Sequence, residues 1–434
     1  MDGKTIIYQV LPRLWGNGKF SSWNEAAASY LRSLGVEYLW LTGVPRHATG
    51  ESFVKGDPGC PYAVSDWYDT NPYLAEDPER RMQEFRDLLD RMHAAGIKCL
   101  TDFIPNHVAC NYKGALSLYG WHDGDWTDTI KVDWSNPDTE KEMLKVLRFW
   151  ASMGVDGFRC DMVELVPSAA LGRVVKAVKR EFPGLLFVAE VYERDNYRRY
   201  MVEGGFDLLY DKTGYYDIVR GILSGTRSAR ELTWNWQYLS DMQPGMLNFL
   251  ENHDEQRFAS GAFAGNADRA WPALAFGLLF NSASFMLYAG QETGEDAAEA
   301  ADGRTSIFNW VRPAGLGELA GSIYEGTALS AGRSELLRRY RELLTMSRHP
   351  VFSRGNVWDL CYCNYDVPGF DADRHFAFVR YNEESAWLIL CNFSGARAGV
   401  DLRIPEELAL AAGLERREAF ADAPANGYTL IKLK

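Results

Sequence analysis

Eight short apolar runs, most of them separated by stretches of helical periodicity, constrain this chain more than any other feature. They lie at 5–10, 38–42, 97–103, 157–161, 185–190, 206–210, 246–251 and 285–289. Helical stretches at 23–34, 79–95, 139–153 and 168–182 end near Gly35, Gly96, Gly154 and Pro183. Glycine is the favoured helix stop, and proline cannot continue a helix. Strand-then-helix repetition with near-continuous apolar strands is the pattern of an α/β fold with a parallel sheet. Eight such units predict a closed (β/α)8 TIM barrel. The rival, an open doubly wound sheet, usually carries a Gly-rich phosphate loop after its first strand. Here the first run is followed by Leu11-Pro12-Arg13-Leu14-Trp15, which is no such loop.

Two stretches break the alternation. Residues 108–133 are rich in Gly, Asp, Trp and Tyr and lack periodicity. They follow the third run, where an insertion would overhang the mouth of a barrel. After residue 350 short strands are expected at 375–381, 386–393, 399–404 and 428–434, mostly with no helix between them. The expected domains are therefore a barrel at 1–107 and 134–350, a reduced inserted subdomain at 108–133, and a C-terminal antiparallel β-sandwich at 351–434. The acidic, Ala-rich segment 290–303 reads as a mobile loop after the eighth strand.

The chain has 434 residues, 47% hydrophobic, which is enough for a large core. Its net charge of −13 argues against nucleic acid or an anionic membrane as partner. No basic start precedes an apolar run of signal length, and no window is long enough to span a membrane, so a cytoplasmic protein is expected. The seven cysteines are odd in number and form no CxxC pair, which points to neither a disulfide framework nor a zinc site. Cys361 and Cys363 read as packing residues on one face of a strand.

Three carboxylates lie at or just beyond the ends of apolar runs: Asp161, Glu190 and Asp254. Burying an unpaired carboxylate is costly, so acids at such positions point to chemistry. In a barrel, the ends of the fourth, fifth and seventh strands converge on one mouth. Two carboxyls about 5 Å apart can act as nucleophile and acid/base of a retaining glycosidase. Arg159 lies two residues before Asp161, hence on the same strand face, and would keep Asp161 ionised. Glu190 must start protonated, and the neighbouring like charges of Asp161 and Asp254 would raise its pKa.

Four segments then resemble the conserved regions of the α-amylase family, glycoside hydrolase family 13: Asp102-Phe-Ile-Pro-Asn106-His107, Gly157-Phe-Arg159-Cys-Asp161, Val188-Ala-Glu190 and Glu251-Asn-His253-Asp254. A fifth, Tyr62 through Asp66 to Asn71-Pro72, is similar to the family's segment between strands two and three. The resemblance implies Asp161 as nucleophile, Glu190 as acid/base and Asp254 as transition-state stabiliser. It implies that Tyr62 stacks on the sugar, and that His107, Arg159 and His253 bind its hydroxyls or orient the acids. The implied activity is retaining hydrolysis of α-glucosidic, foremost α-1,4, bonds in starch- or glycogen-type glucans or maltooligosaccharides. Alternatives are a transglycosylase or an α-1,6- or sucrose-type enzyme on this scaffold, and a non-catalytic glycan-binding protein.

The chain departs from common amylases just past the nucleophile. Glu164 and Leu165 stand where many have Lys-His. Glu164 is read as a subsite residue or a salt-bridge former, and the acceptor end of the site is left open. No cofactor or metal ligand is assigned; a calcium site around Asn106 with nearby aspartates is the alternative. Trp121 and Trp126 are read as the core of the inserted loop or as a sugar platform. Asp102 is expected to support the site from behind its strand.

Overall fold

The computed structural model describes residues 4–434. Eight strands form a closed parallel barrel: β1 (Ile6–Val10), β2 (Tyr38–Leu41), β3 (Lys98–Phe103), β4 (Gly157–Cys160), β5 (Leu186–Ala189), β6 (Leu208–Tyr210), β7 (Met246–Phe249) and β8 (Ser284–Tyr288). The expected (β/α)8 architecture is thus present. Helices α1 (Glu25–Ser33), α2 (Arg81–Ala94), α3 (Pro137–Met153) and α4 (Ser168–Glu181) follow the first four strands. Their apolar faces are buried against the sheet, as amphipathic spacing requires. Two helices, α5 (Asp217–Ser224) and α6 (Arg230–Leu239), follow β6, and α7 (Trp271–Leu279) follows β7. After β8 come α8 (Ala314–Tyr324) and α9 (Ala331–Ser347).

Strand alternation decides what fills the barrel. Ile7, Tyr38, Trp40, Leu100, Leu186, Val188, Leu208, Tyr210, Leu247, Phe249 and Met286 form one inward cluster. Gly157 shares that face. A Cβ there would meet the Leu186 carbonyl oxygen at 2.1 Å and a Leu100 methyl at 2.8 Å. Two residues on, Arg159 pairs in register with Asp102 on one side and Val188 on the other. Two further, Asp161 points the same way from just beyond β4, and Glu190 does so from just beyond β5.

The inserted segment is an antiparallel hairpin, His107–Ala109 with Thr129–Lys131. The loop after β2 carries another, Pro45–His47 with Val64–Thr70. Beyond the barrel, β9 (Asn356–Asp359), β10 (His375–Tyr381), β11 (Ala386–Asn392) and β14 (Gly427–Lys432) form a four-stranded antiparallel sheet. A two-stranded sheet of β12 (Ala398–Arg403) and β13 (Glu418–Ala423) lies beside it.

Some expectations fail for local reasons. Cys361–Cys363 is a 3-10 turn rather than a strand, held by Asp359 accepting the Cys361 N–H at 2.7 Å. The β9 and β13 strands and a helix at Glu406–Ala412 were not foreseen. Segment 290–303 is anchored at its start: Glu292 is fully buried and accepts hydrogen bonds from Tyr8 (2.7 Å) and Tyr30 (2.5 Å). The seven cysteines are free thiols. Among the described residues no helix is long and apolar enough to cross a membrane.

Candidate active site

Asp161, Glu190 and Asp254 line one cavity of about 360 Å³ at the C-terminal mouth of the barrel, together with Tyr62 and His107. Arg159 lies behind it with no exposed surface. Its Nη1 is 2.5 Å from Asp161 Oδ1, and its Nη2 is 2.8 Å from Glu190 Oε2. Its guanidinium is stacked among the rings of Trp40, Tyr62 and Tyr210 at 5.4, 5.2 and 5.7 Å. These rings exclude water and fix the fork, so one cation holds both carboxylates in place.

Burial raises the pKa of Asp161, while the Arg159 charge pulls the other way. Glu190 is also raised, first by burial and further by the Asp161 charge, against the pull of Arg159. The leading cause is therefore desolvation rather than the like charges expected from sequence. A hydrogen bond between the Asp161 and Glu190 carboxyls further favours the Asp161 anion. The pair is close enough to share a proton and titrates as a unit. Glu190 accepts two more hydrogen bonds, from the Met162 backbone N–H at 2.8 Å and the Tyr192 hydroxyl at 2.7 Å. Met162 presents that N–H from a left-handed backbone, φ 41°, which costs a methionine roughly 1–2 kcal/mol. Strain of this kind persists where the surroundings over-determine it.

Asp254 sits beyond the end of β7 on a turn that Asn252 builds by accepting the Asp254 and Glu255 N–H groups at 2.9 and 3.0 Å. A buried ion pair, Arg257 to Glu251 at 3.0 Å, fastens the same loop. The Asp254 pKa is raised by desolvation and then by the Glu190 charge. Its side chain is nonetheless 41% exposed, so water screens the carboxylate and moderates the rise.

His253 is buried behind Tyr62. Its Nδ1 lies 2.7 Å from Gln9 Nε2, and its Nε2 lies 2.5 Å from the Tyr62 hydroxyl and 3.2 Å from Asp254. With the Gln9 amide nitrogen donating, the ring proton is on Nε2. Burial and the Arg159 charge push the His253 pKa well down, so the ring is neutral. Tyr62 then donates to Asp102 at 3.4 Å. Asp102 also accepts from Trp40 (3.2 Å) and the Gly43 N–H (3.0 Å), as expected of a residue behind the site. Burial lowers the His107 pKa to about 4, and its ring packs 5.1 Å from Trp126.

Of the eight site residues named from sequence, Asp161, Glu190, Asp254, Tyr62 and His107 face the cavity, while Arg159 and His253 stand behind it. Glu164 does not line the cavity. Its carboxylate accepts the Tyr192 N–H at 2.7 Å and the Asn196 side chain at 2.6 Å, so it braces the loop after β5. Trp126 lines the cavity, whereas Trp121 is exposed and stacked on Tyr119 at 4.5 Å. Residues not anticipated include Lys55, Asp128, Met162, Tyr192 and Phe308. Only Tyr192 carried a signal, its spacing of two from Glu190; the others come from loops without periodicity.

Of the oxygens that calcium would take there, the Asp123 carboxylate is already paired with an ammonium, while Asn106 Oδ1 has no partner in the protein. Asn106 Nδ2 donates to Asp123 at 2.9 Å, and the Lys131 ammonium lies 2.8 Å from the same carboxylate oxygen. Partial burial would raise the Asp123 pKa, but the bonds from Lys131 and Asn106 outweigh it and hold the group ionised. A resident ammonium at the acid beside Asn106 fits a divalent cation poorly. Among the described residues no cluster of three or more His, Cys, Asp or Glu is placed to hold a metal.

Residues 118–197 match the model of the α-amylase catalytic domain. The chain is 25% identical to neopullulanase 2 of Thermoactinomyces vulgaris over 469 aligned positions, covering 93% of this chain and 72% of that protein. It is 23% identical to the α-amylase MalA of Haloarcula japonica, covering 92% of this chain but 56% of that protein. The fold matches a maltogenic α-amylase, AmyB of Thermotoga neapolitana, with TM-score 0.72 at 22% identity, covering 99% and 96% of the two chains. A closed barrel with its carboxylates at the strand ends and matches along nearly the whole chain lead to one likeness: the chain is similar to enzymes of the α-amylase family, glycoside hydrolase family 13.

Proposed function

We propose that the protein is a retaining glycoside hydrolase that cleaves α-glucosidic bonds, foremost α-1,4 bonds, in glucans or maltooligosaccharides. The observation that carries this reading is the single buried guanidinium of Arg159 contacting both Asp161 and Glu190. A shared cation sets the two carboxyls close together, as attack by one and protonation by the other require. Inverting enzymes need roughly 6.5–9.5 Å between them, to leave room for water.

In this reading Asp161 attacks the anomeric carbon as the bond to the leaving oxygen breaks. Glu190 gives its proton to that oxygen. Water then attacks the glycosyl ester, returns a proton to Glu190 and frees Asp161. Asp254 stabilises the oxocarbenium charge, Tyr62 stacks on the ring, and His107 donates to its hydroxyls. Arg159 and His253 hold the acids. The same reading divides the chain into a barrel at 1–107 and 134–350, an inserted subdomain at 108–133 and a C-terminal domain from 351.

Asp161→Asn and Glu190→Gln should each lower kcat by about 10²–10⁴-fold with folding intact, measured on maltooligosaccharides. Near-normal turnover in either variant would exclude the assignment. Mass spectrometry of products with and without an added sugar acceptor separates hydrolysis from transfer.

A further inference from the structure

The cavity has two ends that differ in chemistry. Glu190 marks the side where the leaving group departs, and Met162 and Tyr192 accompany it there. The retained ring then extends the other way, past Tyr62 and His107. The cavity is also lined by an ion pair, Lys55 Nζ to Asp128 Oδ1 at 3.2 Å. The two residues come from separate elements: Lys55 from the loop after β2, Asp128 from the inserted hairpin.

Asp128 carries the unexplained feature. It is 2% exposed, yet its second oxygen, Oδ2, has no hydrogen-bond partner. A buried acceptor left unmade costs roughly 1–3 kcal/mol, more when charged. Both residues line the cavity, and that oxygen has almost no surface of its own, so a bound donor can meet it once the part-exposed Lys55 side chain shifts. Sugar hydroxyls are neutral donors and acceptors at once, and they suit a carboxylate and an ammonium side by side.

A third contact narrows the same side. Gly56 has φ +68°, and a Cβ there would fall 1.7 Å from the Phe308 carbonyl oxygen. The loop after β2 is therefore pressed against the loop after β8, which only glycine permits. The cavity volume of about 360 Å³ is near the lower end of ligand sites, about 300–1,000 Å³.

We propose that Asp128 and Lys55 recognise the non-reducing-end unit of the substrate, so that the enzyme acts in exo fashion on short oligosaccharides and releases the terminal glucosyl unit. This rests on the α-glucosidic reading above. In it, the terminal unit's hydroxyls donate to Asp128 Oδ2 and accept from Lys55 Nζ. A chain continuing past that unit would have to displace both loops.

The test compares a 4-nitrophenyl maltooligosaccharide whose non-reducing end is free with one blocked there by a 4,6-O-acetal. The free substrate should be hydrolysed from its non-reducing end, and the blocked one at least about 100-fold more slowly. Comparable rates, with internal cleavage of the blocked chain, would overturn the inference while leaving the hydrolase reading intact. Cleavage of neither would overturn the hydrolase reading, and the inference with it. Asp128→Asn and Lys55→Ala should raise KM for the free substrate about tenfold or more, with a smaller effect on kcat. They should also raise the blocked-to-free ratio of kcat/KM. That ratio does not depend on how much protein is folded. An unchanged ratio in both variants would assign the pair a purely structural role and overturn the proposal.

Discussion

Glu190 is held between opposed demands. Burial favours its neutral form, while Arg159, the Met162 N–H and the Tyr192 hydroxyl all stabilise its anion. A general acid works best when its pKa lies near the working pH, and these partners set that balance. Tyr192→Phe removes one anion-stabilising bond, so the Glu190 pKa should rise. The alkaline limb of the kcat/KM–pH profile should move to higher pH, with a change in kcat of less than about tenfold. A limb moving the other way would mean that Tyr192 does not tune the acid. At this scale much of the site is legible in sequence. Arg159, Asp161 and Glu190 occupy spacings of two on adjacent inward-facing strands, and strand alternation fixes where they point. Glu164 was not legible. Its partners, Tyr192 and Asn196, lie some 30 residues away on another loop.

At the scale of elements, α7 shows how barrel and C-terminal sheet are joined. All nine of its residues are buried, so it has no solvent face. Phe276 and Phe280 at its end meet Phe376 edge-on at 4.9 and 5.1 Å. The last carbonyls of a buried helix need donors. Arg380 Nη1 donates to Leu279 and Phe280 at 3.1 and 2.7 Å, and Lys4 reaches Gly277 at 3.4 Å. Burial drives the Arg380 pKa down to about 9, which measures how strongly it is desolvated. Arg380→Met should cost about 2 kcal/mol or more and lower Tm, because it leaves those carbonyls unpaired; denaturant unfolding checks this. The inserted hairpin is held by a different device. We propose that Lys131 serves Asp123 there without a divalent cation. EDTA should leave Tm unchanged, while Lys131→Met should lose about 1 kcal/mol, the scale of a partly exposed pair. A chelator-induced fall in Tm would refute this.

At the scale of the whole molecule, a buried acid couples the site to stability. Burial raises the Asp102 pKa to about 7, against about 3.9 in an unfolded chain. A group raised on folding contributes stability that is complete below the unfolded pKa and lost as pH rises through the folded one. The Asp102 contribution is thus full below about pH 4 and gone above about pH 7. Thermal unfolding across this window should show Tm falling less steeply with rising pH in Asp102→Asn than in the parent. An identical slope would mean that Asp102 stays ionised throughout.

Sequence alone pointed to the barrel, because eight apolar runs alternating with helices bury both faces of a parallel sheet and no phosphate loop of the open rival follows the first run. It also determined that Asp161 and Glu190 reach the mouth, because alternation along each strand is a local property, whereas Asp254 is placed by a turn beyond β7. Only the tertiary structure decided the shape of the cavity's far wall. Lys55, Asp128 and Phe308 lie on three loops without periodicity, and no local rule brings them together. Their meeting depends on how the loop after β2, the inserted hairpin and the loop after β8 pack over one another. Packing of that kind is set by long-range contacts rather than by the residues next to each in the chain.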